Sequence, residues 1–179
     1  MDALHNLPSF CRVAADLRPT PDSDIRIEVW LPTAQWNGKF FAVGSGGSGG
    51  SLSYGEMADA LRRGYATSAT DDGHTGPSAS FVVGHPEKLI DFAYRAEHEM
   101  IVEAKTLIRS FYDRDRRYSF WSGCSGGGRE GLLQASAIRM NSTASPAIRQ
   151  TSAETPGRSS LLFRLLRIPK PISHRRSIQ

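Results

Sequence analysis

Tyr118-Ser-Phe-Trp-Ser-Gly123-Cys124-Ser125-Gly126-Gly127-Gly128-Arg129-Glu130-Gly131 is the stretch that decides the fold. Residues 118–122 have strand character, and Arg129-Glu-Gly-Leu-Leu-Gln-Ala135 reads as a helix. Gly-x-Ser-x-Gly lies between them, which is the order a nucleophile elbow needs. On such a turn the serine takes backbone dihedrals that are strained for an ordinary residue. Gly123 and Gly127, two positions to either side, let strand and helix pass one another. The hydroxyl then stands at the carboxyl end of a strand, above a helix N-terminus that favours developing negative charge. The bland alternative is a glycine-rich loop in which Ser125 is only a linker residue.

Upstream of the elbow, strands alternate with helices. Residues 1–24 read as an irregular lead-in, with Pro19, Pro21 and Asp22-Ser-Asp marking a turn. Ile25-Arg-Ile-Glu-Val-Trp-Leu31 alternates apolar and polar residues as a half-buried strand does, and Pro32 ends it. Lys39-Phe-Phe-Ala-Val43 is a more buried strand, followed at once by the glycine-rich loop Gly44–Gly50. Tyr54 to Arg63 reads as a helix capped by Gly64, and Tyr65 to Thr70 as a third strand running into Asp71-Asp-Gly-His-Thr-Gly76. Leu89, Ala93, Ala96, Met100, Ala104, Leu107 and Phe111 place one apolar stripe along a helix from about Pro86 to Tyr112. Strands in this alternation predict an α/β fold with a mostly parallel sheet and flanking helices, the N-terminal half of an α/β-hydrolase.

The 179 residues carry a formal charge of +4, unevenly spread. Residues 136–179 hold eight Arg and Lys against Glu154 alone, a net of +7, so residues 1–135 stand at −3. The expected division is therefore a partial hydrolase domain over 1–135 and an unstructured basic tail over 136–179. The tail's arginines lack interleaved aromatics and follow no helical face, which argues against a nucleic-acid site. No apolar run is long enough to span a membrane, and the N-terminus lacks the basic start and apolar centre of a signal peptide. Taken literally, the chain stays in the cytoplasm. Two cysteines, Cys11 and Cys124, cannot build a multi-bridge scaffold.

With these residues placed, the chain resembles the tannase/feruloyl esterase family of serine ester hydrolases over about residues 7–135. The likeness rests on 7–13 (Leu-Pro-Ser-Phe-Cys-Arg-Val), 18–25 (Arg-Pro-Thr-Pro-Asp-Ser-Asp-Ile), Val29-Trp-Leu-Pro and Trp36-Asn-Gly-Lys-Phe. It continues through Val43-Gly-Ser-Gly-Gly, 62–67 (Arg-Arg-Gly-Tyr-Ala-Thr), the Asp71-Asp-Gly-His-Thr loop, Pro86-Glu-Lys-Leu-Ile-Asp-Phe and 123–131. The resemblance implies hydrolysis of small phenolic esters, feruloyl, galloyl or related, with Ser125 as nucleophile and no cofactor. It implies a family usually secreted or periplasmic, with a lid and its calcium site outside this chain. Cys124 matches a cysteine that the family pairs with one beside the catalytic histidine, a partner missing here. The family's acid and base, an Asp and a His, also match nothing here. The alternative reading is accordingly an inactive fragment truncated before the lid and the Asp/His half, with its elbow strand at an unpaired sheet edge. Shifting the frame after Ala135 permits Gln-Ala-Gln-Arg-Tyr-Pro-Asn-Glu-Phe-Asp-Gly-Ile, a family-like run, so the tail reads as out-of-frame translation.

Serine ester hydrolysis needs a nucleophile, a base oriented by an acid, and donors for the oxyanion. One donor is the N–H of Gly126, the residue after the serine. The second comes from the Gly44–Gly50 loop, with Gly46 or Gly47 the choice, since a glycine lets backbone approach substrate; otherwise that loop is only a flexible surface segment. His74 with Asp71 or Asp72 is a tempting local triad, but the α/β-hydrolase order puts the histidine after the serine. His98, off the apolar stripe, reads as a surface or packing residue, and no His/Cys/Asp cluster has metal-ligand spacing, so no metal is expected.

Overall fold

The computed structural model describes residues 4–140, 149–155 and 158–165, with backbone alone from 137 onward. In chain order the elements are β1 (Phe10–Leu17), β2 (Ile25–Pro32), β3 (Lys39–Val43), α1 (Tyr54–Arg62), β4 (Ala66–Thr70), α2 (Pro86–Ile90), α3 (Ala96–Tyr112), β5 (Tyr118–Gly123) and α4 (Gly126–Met140). Strands β6 (Arg149–Thr155) and β7 (Arg158–Leu165) follow. The sheet order is β1-β2-β4-β3-β5-β7-β6.

The sheet is mixed, which corrects the mostly parallel expectation. β3 runs parallel to β4 and to β5, whereas β1–β2, β2–β4, β5–β7 and β6–β7 are antiparallel. The parallel centre follows from chain economy: each of β3 and β4 returns to the sheet through a helix, α1 and α3, that covers one face. The elbow strand does not end the sheet, because the backbone of β7 pairs along its outer side. Residues 136–179, read from sequence as an unstructured tail, thus include the end of α4 and the backbone of β6 and β7.

Two apolar layers hold the sheet. On one face Ile25, Ile27, Val29, Leu31, Phe40 and Ala42 meet Met100, Ala104 and Ile108 of α3. On the other, Trp30, Phe41 and Val43 meet Met57, Ala58, Ala60 and Leu61 of α1. Each such large apolar side chain, fully buried, contributes about 1.5–3 kcal/mol relative to exposure.

Three expectations need correction. The lead-in is not irregular: β1 pairs with β2 from Phe10↔Pro32 to Leu17↔Ile25. Its Cys11, Val13, Ala15 and Leu17 pack on the core, while Arg12, Ala14 and Asp16 are exposed. β2 is not half-buried either; every residue but Arg26 is buried, because α1 covers the second face. The buried Glu28 there accepts hydrogen bonds from Trp30 Nε1–H (2.8 Å) and Tyr54 O–H (2.7 Å) and pairs with Arg12. The long helix, finally, is interrupted by a π-helical segment, Asp91–Arg95, between α2 and α3. One extra residue in a turn rotates everything before it. Leu89 is therefore exposed and Asp91 buried, and the face that meets the sheet is Ala96, Glu97, Met100, Ile101, Ala104 and Ile108. Phe111, the last member of the expected stripe, is exposed as well.

Among the described residues no helix is long and apolar enough to cross a membrane.

Candidate active site

The carboxyl ends of β4, β3 and β5 lie side by side, so the loops leaving them meet above one edge of the sheet. That edge is where α/β sheets place their ligands. Gly44 N–H donates to Ser122 O (2.8 Å), tying the loop after β3 to the last turn of β5. α4 begins at Gly126, directly after Ser125, three residues earlier than the sequence suggests.

Ser125 has φ +55°, a left-handed conformation rare for a residue with a side chain. It is held there by its surroundings: Gly127 N–H bonds back to Cys124 O (3.1 Å) and Arg129 N–H to Ser125 O (3.1 Å). Ser125 and Cys124 are both exposed, and Cys11 and Cys124 are free cysteines.

Gly126 and the loop after β3 are in close approach. A Cβ on Gly126 would lie 2.8 Å from Gly47 O and 3.2 Å from Ser45 O, so only glycine fits. Gly46 and Gly47 are exposed, a Cβ on either would meet nothing within 4 Å, and neither N–H donates to a backbone carbonyl among the described residues. The structure thus brings Ser125, Gly126, Gly46 and Gly47 to one place.

It does not assemble the tempting local triad. His74 is buried against Phe81, with ring centroids 3.6 Å apart, and neither ring nitrogen has a partner. Burial lowers its pKa, which keeps the ring neutral. Asp71 accepts instead from Arg26 N–H and Gly73 N–H, each 3.0 Å, and burial pushes its carboxyl up to about 6. No side chain among the described residues hydrogen-bonds the hydroxyl of Ser125. His98 is exposed on α3.

Beneath the site lies a group that spacing along the chain does not reveal. Asp72 from the loop after β4, Glu97 from α3 and Glu130 from α4 are all buried, with one carboxylate oxygen of each within 4.8 Å of the others, close enough to share a cation or protons. Ser45 joins them: its N–H donates to Glu130 Oε2 (3.1 Å), and its hydroxyl lies 3.3 Å from Glu130 Oε1 and hydrogen-bonds Asp72. Both oxygens of Glu97 and Oδ1 of Asp72 have no partner. Burial, reinforced by the neighbouring carboxylates, pushes Glu97 up to about 10 and Glu130 up to about 7, and burial raises Asp72. Sequence reasoning passes over Glu97; its signal would have been the π-helical offset, which no residue pattern announces.

Against known proteins, the family described as "Tannase and feruloyl esterase" matches residues 11–139. An uncharacterized esterase of Xanthomonas campestris pv. campestris is 43% identical over 134 residues, covering 74% of this chain and 23% of that protein. Feruloyl esterase B of Aspergillus niger is 39% identical over 125 residues, covering 70% and 24%. Among solved structures, feruloyl esterase B from Aspergillus oryzae superposes with a TM-score of 0.70 at 36% identity, over 75% of this chain and 28% of that one. Tannin acyl hydrolase from Aspergillus niger gives 0.60 at 28% identity, over 70% and 25%. The chain spans about a quarter of the length of the relatives it matches.

Proposed function

This chain belongs to the tannase and feruloyl esterase family, and from that premise we propose that residues 11–139 form the nucleophile-bearing part of a serine carboxylic ester hydrolase acting on phenolic esters such as feruloyl or galloyl esters. The observation that carries the reading is Ser125 at φ +55° on the β5–α4 turn, with Gly126 packed against Gly47. Ser125 Oγ attacks the ester carbonyl, and its proton passes to a base. The carbonyl oxygen, now an oxyanion, accepts from Gly126 N–H and from Gly46 or Gly47 N–H. Collapse expels the alcohol and leaves an acyl-enzyme, which water then hydrolyses. Acyl transfer of this kind calls on no cofactor. Cys124 is exposed beside Ser125, and on this reading it pairs with a cysteine from the segment that carries the base, as the family resemblance implies.

A second reading has its own observation. A serine hydroxyl without a base is a weak nucleophile at neutral pH, and no described side chain hydrogen-bonds Ser125. These 179 residues by themselves are then inert. Both readings are tested by assaying methyl ferulate and methyl gallate with the chain alone and with a chimera. In the chimera, residues 11–139 replace the matching segment of the Aspergillus oryzae feruloyl esterase B. The expected result is turnover by the chimera that falls about 10⁴-fold or more in Ser125→Ala, with the chain alone at the buffer rate. A Ser125→Ala chimera with undiminished kcat sinks the nucleophile assignment; turnover by the chain alone sinks the second reading.

A further inference from the structure

We propose that Glu130 is a positioning residue: with Asp72 it clamps Ser45, and through Ser45 it sets the height of Gly46 and Gly47 over Ser125 by a grip that depends on protons held beneath the loop. The functional value of that grip rests on reading the loop as an oxyanion donor; the grip itself does not.

The geometry is direct. Ser45 is the second residue of the loop after β3 and is buried, although Gly46 and Gly47 next to it are exposed. Its N–H and hydroxyl both reach the Glu130 carboxyl, at 3.1 and 3.3 Å, and the hydroxyl also bonds Asp72. Glu130 sits on α4 five residues after Ser125, so one rigid helix carries the nucleophile at its start and the loop's anchor in its second turn. Gly44 has no room for a side chain, since a Cβ there would lie 2.7 Å from Glu130 Oε2. The far end of the loop is pinned by Gly50 N–H to Asp71 O and Gly76 N–H to Gly50 O, each 3.0 Å, and by the Ser48 hydroxyl to Pro77 O (2.7 Å). Among the described residues, the carboxylates that hold this loop by hydrogen bonds do so at its Ser45 end.

Those groups are short of donors. Six carboxylate oxygens face one N–H and one hydroxyl from Ser45, and a single hydroxyl proton cannot serve Asp72 and Glu130 at once. The other charged or titratable neighbours are His74 on the Asp72 loop and Arg129, whose guanidinium is 4.0 Å from Glu130 Oε1 and partly exposed. Three buried charges cannot coexist there without added protons. Glu97 therefore stays protonated, and Glu130 titrates near neutrality. An ionised Glu130 accepts Ser45 N–H more strongly, but a second charge within 4.8 Å of Asp72 in a dry site outweighs that gain. These pKa values are raised, so the grip is full at low pH and slackens as pH climbs through about 7.

The test needs no ester. Amide hydrogen exchange of the full chain, corrected for intrinsic rates, is followed between pH 6 and pH 8 at Ser45 and Gly49, with Ile27 and Val29 of β2 as controls. Wild-type protection at Ser45 and Gly49 should fall across this range while the controls hold. Glu130→Ala should lower it about tenfold at pH 6. Glu130→Gln, which keeps an acceptor for Ser45 N–H but cannot ionise, should restore protection and flatten its pH profile. Unchanged loop protection in Glu130→Ala, or a wild-type pH profile in Glu130→Gln, overturns the proposal. If Glu130→Ala fails to fold, the Glu130→Gln profile decides alone. Protection at pH 8 restored by excess calcium and removed by EDTA also overturns it, because the grip would then belong to a cation. Loss of the clamp leaves the role of Ser125 standing, and loss of the Ser125 assignment leaves the clamp standing.

Discussion

Two glutamates, Glu28 and Glu97, are buried in the same small domain and live in opposite circumstances. Glu28, on β2, takes hydrogen bonds from Trp30 and Tyr54 and an ion pair from Arg12, so its charge is met from three sides. Glu97, on α3 beneath the candidate site, accepts from no donor among the described residues and faces the carboxyls of Asp72 and Glu130, so that its charge is met by nothing but a proton of its own. The first is a solved problem of folding; the second is a buried acid that persists where the loops after β3, β4 and β5 meet. Unsatisfied groups of this kind cost stability and concentrate at functional sites. The edge of the sheet around β1 is thus built to be held, and the edge around Ser125 to hold something else.

The contrast breaks most sharply at Glu28. Glu28→Ala strands the Trp30 N–H and Tyr54 O–H in the interior and should cost about 2–4 kcal/mol, read as a lower urea midpoint at unchanged slope. An effect below about 0.5 kcal/mol would mean that water or a rearranged Arg12 replaces the carboxylate without loss.

Glu97 should respond with the opposite sign. Glu97→Leu removes a buried acid that must hold its proton against two neighbouring carboxyls and fills the same space with an apolar side chain, for a gain of about 1–3 kcal/mol. Because the pKa of Glu97 is raised by burial, its carboxyl contributes fully at low pH and costs stability as pH climbs toward about 10. Glu130 adds the same trend between about 4.5 and about 7, where the unfolded chain has lost a proton that the folded state keeps. Wild-type stability should therefore fall from about pH 4.5, through both groups up to about pH 7 and through Glu97 alone from there to about pH 10. The fall is up to about 1.4 kcal/mol per pH unit for each proton that the folded state keeps and the unfolded chain has lost, and Glu97→Leu should flatten the upper part of the curve. A destabilised Glu97→Leu would show that the acid is held by groups beyond those described.

The smallest effect sharpens the comparison at Ser125 itself. Ser125→Gly relieves a left-handed serine and should raise stability by about 0.5–1 kcal/mol, a few degrees in Tm. A loss of stability of that size would mean that the serine is not strained.

Much of this was legible before the structure. β3 and α1 fall where the residues put them, and Gly-x-Ser-x-Gly sits on a strand-to-helix turn as its flanks predict. What escaped did so for physical reasons. β1 is an edge strand whose inward residues, Cys11, Val13, Ala15 and Leu17, include small ones and share the segment with Ala14, so its period-two signal is faint. The alternation in β2 promised a wet face, and Arg12, Tyr54 and Trp30 made Glu28 dry. The apolar stripe assumed an unbroken α-helical period, and the π-helical segment carried Leu89 out and Asp91 in. The carboxyl group under the site joins residues 72, 97 and 130 by tertiary packing alone, which no spacing rule can anticipate.

The place of β3 in the sheet has a consequence for the order of assembly. β1 and β2 are joined by a short turn, and their register closes from Leu17↔Ile25, eight positions apart. β3 meets β5 from Lys39↔Tyr118, seventy-nine positions apart. Closing the longer span costs more chain entropy before any contact rewards it, so the hairpin should be in place first and the β3–β5 pairing last. Gly44 and Ser122 meet only through that pairing. On a growing or refolding chain, then, Ser125 would come to face its glycine loop at the final step, and a partly folded molecule would present the serine with nothing opposite it.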